Sequence, residues 1–279
     1  MAEATALERG LAALGREWVE ARCADEPEWL RAERLRAWQI YEATPLPTRK
    51  LEEWRYTDPA QLALDEVVVV EPGSGAEPPA GALALVAPSR TAAARVLLVD
   101  GDAPRIELPE ELRAQGVILM ELAQAAREHP ELVRAHLGAE LPPEAGKFHA
   151  LSAAAWSAGI FLYVPRGVRI DDPVRVGRWI DRGGIAVFPR TLILADEGSH
   201  LAYVEEFASP DLRTPSLSLG GVEIVARDGA HVQYVAVQRW GRGVRHLAMQ
   251  KTIARRDADL DTLVVNLGGT VARVELAAS

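Results

Sequence analysis

From about residue 147 onward, apolar and polar positions alternate in short runs broken by glycines and acidic turns. The runs are "GIFLYVPRGVRI", "PVRVGRWI", "IAVFPRTLILADEGSHLAYVEEF", "GGVEIVARDGAHVQYVAVQRW", "HLAMQKTIARRDADLDTLVVNLGG" and "VARVEL". They are rich in Val, Ile, Leu, Thr and Tyr, the side chains that suit a pleated, half-buried surface. The pattern also repeats. Gly167, Gly198 and Gly229 lie 31 residues apart, and Asp257 holds the same place 28 residues later. Three positions after each comes an aliphatic residue: Ile170, Leu201, Val232 and Leu260. One position before that sits a polar one: Arg169, His200, His231 and Asp259. Four positions before each turn sit Tyr163, Leu194, Val225 and Ile253.

A repeat that keeps its phase predicts a coil. Each repeat makes one turn, equivalent residues stack, and aliphatic ladders fill the inside while polar ladders face out. A right-handed parallel β-helix is the simplest form. An antiparallel β-sandwich also fits the strand lengths, but the kept phase favours the coil.

The N-terminal part reads differently. Leu7, Leu11, Leu14 and Trp18 follow one face of a helix, and residues 3–42 read as helical. Pro27 stands near the start of a second stretch, where its missing N–H costs nothing. Trp38 and Tyr41 share a face and read as core. "EVVVVEP", "ARVLLVDG" and "GVILMEL" are short strand-like runs, "EPGSGAEPPAG" is a loop, and "AQAAREHPELVRAHLG" is helical. The expected class is therefore α+β. A helical and small mixed α/β region spans 1–146, and a β-helix core with repeats of about 28–31 residues spans 147–279.

Composition narrows the function. The net charge of -9 argues against a duplex-binding protein. The single cysteine, Cys23, rules out an intrachain disulfide and a multi-cysteine metal site, and it reads as a buried structural thiol. No basic-then-apolar leader opens the chain, and no apolar run approaches the roughly 20 residues that span a bilayer. The expected compartment is the cytoplasm.

Candidate chemistry is sparse. The stacked column His200, His231 and Asp259 places two imidazoles and a carboxylate within reach of a divalent metal. A solvated outer ladder is the plainer reading, because Arg169 heads the column and repels cations. His246, after Arg242 and Arg245, reads as part of a solvated basic turn. His149 reads equally as a satisfied polar residue or a ligand. Asp171–Asp172 and Glu205–Glu206 are strand neighbours that point to opposite faces, so neither forms a paired-carboxylate site. No nucleophile with an evident base can be assembled. Neither a catalytic nor a cofactor-binding residue is assigned, and the chain is not expected to be an enzyme.

"PLPTRKLEEWRYTD" at 45–58 resembles the N-terminal signature of the SufD family of iron–sulfur cluster assembly proteins. "GIFLYVPRGVRIDDPVRV", "LADEGSHLAYVEEF", "EIVARDGAHVQYVAVQ" and "VVNLGGTVARVEL" resemble, in order, that family's β-helix turns. The related SufB shares the β-helix, but the W-R-Y-T-D stretch points to SufD. The resemblance implies a non-ATPase scaffold that partners SufB and the ATPase SufC and is linked to iron entry. A cluster or iron would then belong to the complex. Family members carry further turns and a helical C-terminal domain, so this chain is expected to be a fragment whose docking to SufB and SufC is in question. For the stretch around Trp54, the expectation is a clamp between the N-terminal region and the rest, with Arg55 stacking or pairing nearby. A stand-alone β-helix interaction module and a β-helix polysaccharide lyase or hydrolase are the competing readings.

Overall fold

The computed structural model describes residues 14–62, 64–69 and 77–279. Leu7, Leu11 and most of the 71–81 loop lie outside those residues. The helical start consists of α1 (Arg16–Arg22) and α2 (Glu28–Ala43), with Pro27 as the N-cap of α2. The strand β1 (Val68–Val69), the helix α3 (Ala80–Leu85) and the hairpin β2 (Ala94–Val99) and β3 (Arg105–Glu107) follow. Next come α4 (Glu110–Ala114), β4 (Ile118–Glu121), α5 (Leu122–Glu128), α6 (Pro130–Val133) and α7 (Lys147–Ala155).

The remainder is strand. It runs through β5 (Gly159–Val164), β6 (Val174–Trp179), β7 (Ile185–Val187), β8 (Arg190–Ala195) and β9 (His200–Ala208). It ends with β10 (Ser216–Ala226), β11 (His231–Arg239), β12 (Val244–Ala254), β13 (Asp259–Asn266) and β14 (Val271–Ala278). From β8 onward successive strands fall alternately into two sheets, paired in parallel, and β7 precedes β8 in the first; together they form a β-solenoid of about 4 turns. The first sheet stacks β5, β8, β10, β12 and β14, and the second stacks β6, β9, β11 and β13. The parallel pairing removes the sandwich alternative. The N-terminal region is continuous with the solenoid, because β2 pairs parallel with β6 and β4 pairs antiparallel with β5.

The ladders read from the sequence are register partners. Val232 pairs with both Leu201 and Leu260, and Val225 pairs with both Leu194 and Ile253. The turns explain the spacing. Gly167, Gly198 and Gly229 have φ of 69°, 64° and 66°, a left-handed conformation that costs glycine nothing. Their N–H groups donate to Glu197, Asp228 and Arg256 carbonyls at 2.9 Å, so the ladder continues around the corner. Asp257 takes the same place with φ 55°, which aspartate tolerates better than most residues.

Two apolar layers result. One fills the inside of the solenoid with residues such as Ile160, Val176, Ile193, Leu201, Ile224 and Val232. The other lies outside the first sheet, where Phe161, Leu192, Leu219, Leu247 and Met249 meet Trp38, Leu122, Leu151 and Phe148 from the helices. The helices are therefore a lid on one sheet. The exception is α3, which packs on β2 and β6 of the other. A Cβ on Gly177 would come within 2.8 Å of the Leu85 side chain, so glycine permits that approach.

The clamp around Trp54 is present with a different cation. Trp54 is buried, its ring 5.1 Å from Phe148 at the start of α7. Arg273 of β14 stacks over it at 4.2 Å and donates to the Glu53 carbonyl. Arg55 instead reaches only Glu52, at 3.0 Å on the surface. The pairing expected of Arg55 is this pair with Glu52, while the stacking on Trp54 falls to Arg273, because Arg55 sits one residue past the short helical turn 52–54, on the solvent side.

Candidate functional site

The second sheet presents its outer face to solvent beyond the cover of α3. On β11 and the first half of β9, inward residues are buried and outward ones are less so, the expected result of a period-2 side-chain alternation; at the end of β9 the outward Glu206 and Ala208 are buried too. Read along β11, His231, Gln233, Val235, Val237 and Arg239 point out, while Val232, Tyr234, Ala236 and Gln238 are buried.

The proposed column stands on this face. Arg169 bridges His200, which pairs with His231, which pairs with Asp259. The two imidazole rings are 6.0 Å apart, and His231 Nδ1 is 3.7 Å from Asp259 Oδ2. Burial lowers the His200 pKa first, and the charges of Arg169 and His231 lower it further. A cation meets the same repulsion. Among the described residues, no group of three or more His, Cys, Asp or Glu side chains is gathered as a metal ion would require.

At the other end of the same face sits Glu206, buried among arginines. Arg90 Nη1 lies 2.6 Å and Arg175 Nη1 3.1 Å from its Oε1, and Arg239 Nη2 lies 3.1 Å from its Oε2. Glu205, its neighbour, points the opposite way. Inside the solenoid Glu205 pairs with Arg178 and accepts a hydrogen bond from the Tyr234 hydroxyl at 2.8 Å. Arg178 also donates to Thr191 Oγ1 at 2.9 Å and to the Ala158 carbonyl at 3.2 Å. Tyr203 and Tyr234 stack at 5.8 Å, and burial pushes both phenols well above their ordinary pKa. The two adjacent carboxylates therefore serve two unconnected networks, as strand geometry requires.

A third buried carboxylate, Glu223 on β10, ties the lid down. It pairs with Arg190 and accepts the backbone N–H groups of Gly138, Glu140 and Leu141 at 3.0, 3.1 and 3.3 Å. Sequence reading missed these pairs, although a signal existed. Arg175–Glu206, Arg166–Glu197 and Arg227–Asp196 are each 31 residues apart, one solenoid turn, and Arg190–Glu223 and Arg239–Glu206 are 33 apart.

One histidine reading changes. His246 is not in a solvated turn. It lies on β12, 3% exposed, with its ring 5.4 Å from Phe207 and 6.1 Å from Trp240. Burial drops its pKa to about 4. The arginines that precede it belong to the turn and the strand's first residues, whereas its own side chain faces inward. His149 sits at the Trp54 clamp, with Nε2 3.7 Å from Glu275 Oε2. Burial lowers its pKa, partly offset by Glu275. Cys23 is buried at the end of α1, and burial raises its thiol pKa.

The molecule is thus a β-solenoid with one helix-covered sheet and one open sheet. Family comparison gives it a place. The SufBD protein N-terminal region matches residues 89–176, and the SufBD core domain of the SUF iron–sulfur cluster assembly system matches residues 178–279. The chain belongs to the SufB/SufD superfamily. It is 34% identical over 161 residues to the iron–sulfur cluster assembly protein SufB of Bacillus subtilis, covering 58% of this chain and 35% of that protein. It is 30% identical over 257 residues to an iron–sulfur cluster assembly SufBD family protein of Staphylococcus haemolyticus, covering 88% of this chain and 54% of the relative. A Staphylococcus aureus family member is 29% identical over 264 residues. The chain spans about a third to a half of the length of these relatives. None of the helices in the described residues is long and apolar enough to cross a membrane.

Proposed function

We propose that this chain serves as the SufD-type, non-ATPase scaffold part of a cytoplasmic Suf assembly complex, working beside a SufB-like subunit and a SufC-like ATPase and tied to iron entry. The observation that carries the reading is the unbroken succession of the superfamily's N-terminal and core regions over 89–279. The W-R-Y-T-D stretch supports the SufD side of the assignment, and its Trp54 is built into the fold. A large share of the polar chemistry is spent on holding turns together, which suits a scaffold. Its charges pair across turns, at Arg178–Glu205 and Arg190–Glu223.

The test is co-expression of the source's full-length gene with its own SufB-like and SufC-like genes, followed by tagged purification and native mass measurement. A stoichiometric three-component complex supports the proposal. A SufB–SufC complex that forms while this protein elutes alone defeats it. Within the same reading, His200, His231 and Asp259 are the side chains to test for iron. As a solvated ladder headed by Arg169, the column should contribute nothing: replacing both histidines with alanine should leave iron affinity unchanged in titration, and a weakened affinity would make the column an iron site.

A further inference from the structure

The arginines around Glu206 outnumber what that carboxylate can neutralise. Arg90 comes from the loop after α3, Arg175 from β6 and Arg239 from β11. A fourth, Arg95 on β2, is the register partner of Arg175. Arg95 donates to the Arg90 carbonyl at 3.0 Å, while its Nε is buried with no hydrogen-bond partner. Glu107 stands opposite Arg95 on β3 but makes no ion pair with it among the described residues. Three guanidinium groups from three segments thus converge on one carboxylate, with Arg95 beside them as the register partner of Arg175, in a chain whose net charge is -9. Held this close and half-buried, they repel one another. Burial and the charge of Arg90 lower the Arg175 pKa against the pull of Glu206. A fold that needed only to satisfy Glu206 would not need this surplus.

We propose that Arg90, Arg95, Arg175 and Arg239 form a binding site for a phosphate group on the outer face of the second sheet. The charge balance selects the ligand. Four arginines against Glu206 leave a surplus of three charges; a further carboxylate removes one of them, whereas a phosphate removes up to two and brings tetrahedral oxygens that several guanidinium forks share. The accessible donors are on Arg239 and Arg90, whose side chains are 48% and 36% exposed, while Arg95, its Nε buried, contributes its charge from behind them. The site is separate from the His200 column at the other end of β9 and does not depend on the Suf assignment.

The experiment is calorimetric titration of the protein with pyrophosphate at low ionic strength, beside Arg239→Gln and the control Arg256→Gln. Arg256 is exposed on a turn and pairs with Asp228, away from the cluster. The wild type should bind saturably at one site. Arg239→Gln should weaken binding about tenfold or more, the usual scale for one charge-assisted hydrogen bond, while Arg256→Gln leaves it unchanged. Glu206→Gln, if it folds, should tighten binding, an effect that a purely structural carboxylate would not produce. Adenosine diphosphate in place of pyrophosphate separates a phosphate carried on a nucleoside from a free one. No saturable binding by the wild type, or equal loss in Arg239→Gln and Arg256→Gln, overturns the proposal.

Discussion

The two sheets of the solenoid are built from the same repeat, yet they meet different surroundings. On the first sheet, β10 is buried at every position, because the inside of the solenoid takes one face and α7 with its neighbours takes the other. On the second, β11 alternates between buried and exposed residues. A parallel strand covered on both faces needs apolar residues on both, and one covered on a single face does not. The difference separates the sheet that most of the helices cover from the sheet whose outer positions stay exposed along β11.

The strongest way to break this contrast is to remove what fastens the lid. Glu223→Ala leaves Arg190 buried without its partner and frees three backbone N–H groups. We expect a loss of about 3–5 kcal/mol in denaturant unfolding. Trp54→Ala should cost a similar amount, about 3–5 kcal/mol, since it empties the space between Phe148 and Arg273. A retained melting temperature in either variant would mean that the helices are not held as described.

The next effect is a pH dependence. His246 titrates at about 4 when folded, against 6.5 in the unfolded chain. Below 6.5 the unfolded state binds the proton and the folded state does not, so stability falls as pH drops from 6.5 toward 4 and the loss levels off below that. The full loss is about 3 kcal/mol, taking 1.36 kcal/mol per pKa unit. Urea unfolding across that range should show the slope, and His246→Leu should flatten it. The smallest effect belongs to the open face. Gln233→Ala should change stability by less than about 0.5 kcal/mol. A loss there equal to that of Glu223→Ala would erase the distinction between the sheets.

The solenoid was legible because stacking forces equivalent residues into register. The phase of Leu201, Val232 and Leu260 could be read without knowing what lay around them. The lid was not legible to the same depth. The helical period marks Trp38 as apolar, but nothing local says that it packs outside the first sheet. Arg273 reaching Glu53 across 220 residues is beyond any local pattern, and the nearer Arg55 took its place in the expectation. His246 was misplaced because its arginine-rich approach reads as surface, while strand phase turns the next side chain inward. The outer-face arginines were missed because each is unremarkable alone. Only the 31-residue and 33-residue offsets bring Arg175 and Arg239 onto Glu206.

The single buried cysteine makes the decisive measurement simple. In a Cys23→Ser background, Gln233→Cys places a thiol on the open face of β11, and Met249→Cys places one on the covered face of β12. Maleimide labelling of the native protein, timed for both, tests the contrast between the sheets directly. The thiol at 233 should label at close to the rate of an unfolded control, and the thiol at 249 should label only after unfolding. Equal rates at the two positions would show that the two sheets do not differ as described, and the assignment of one side to holding and the other to binding would fall with them.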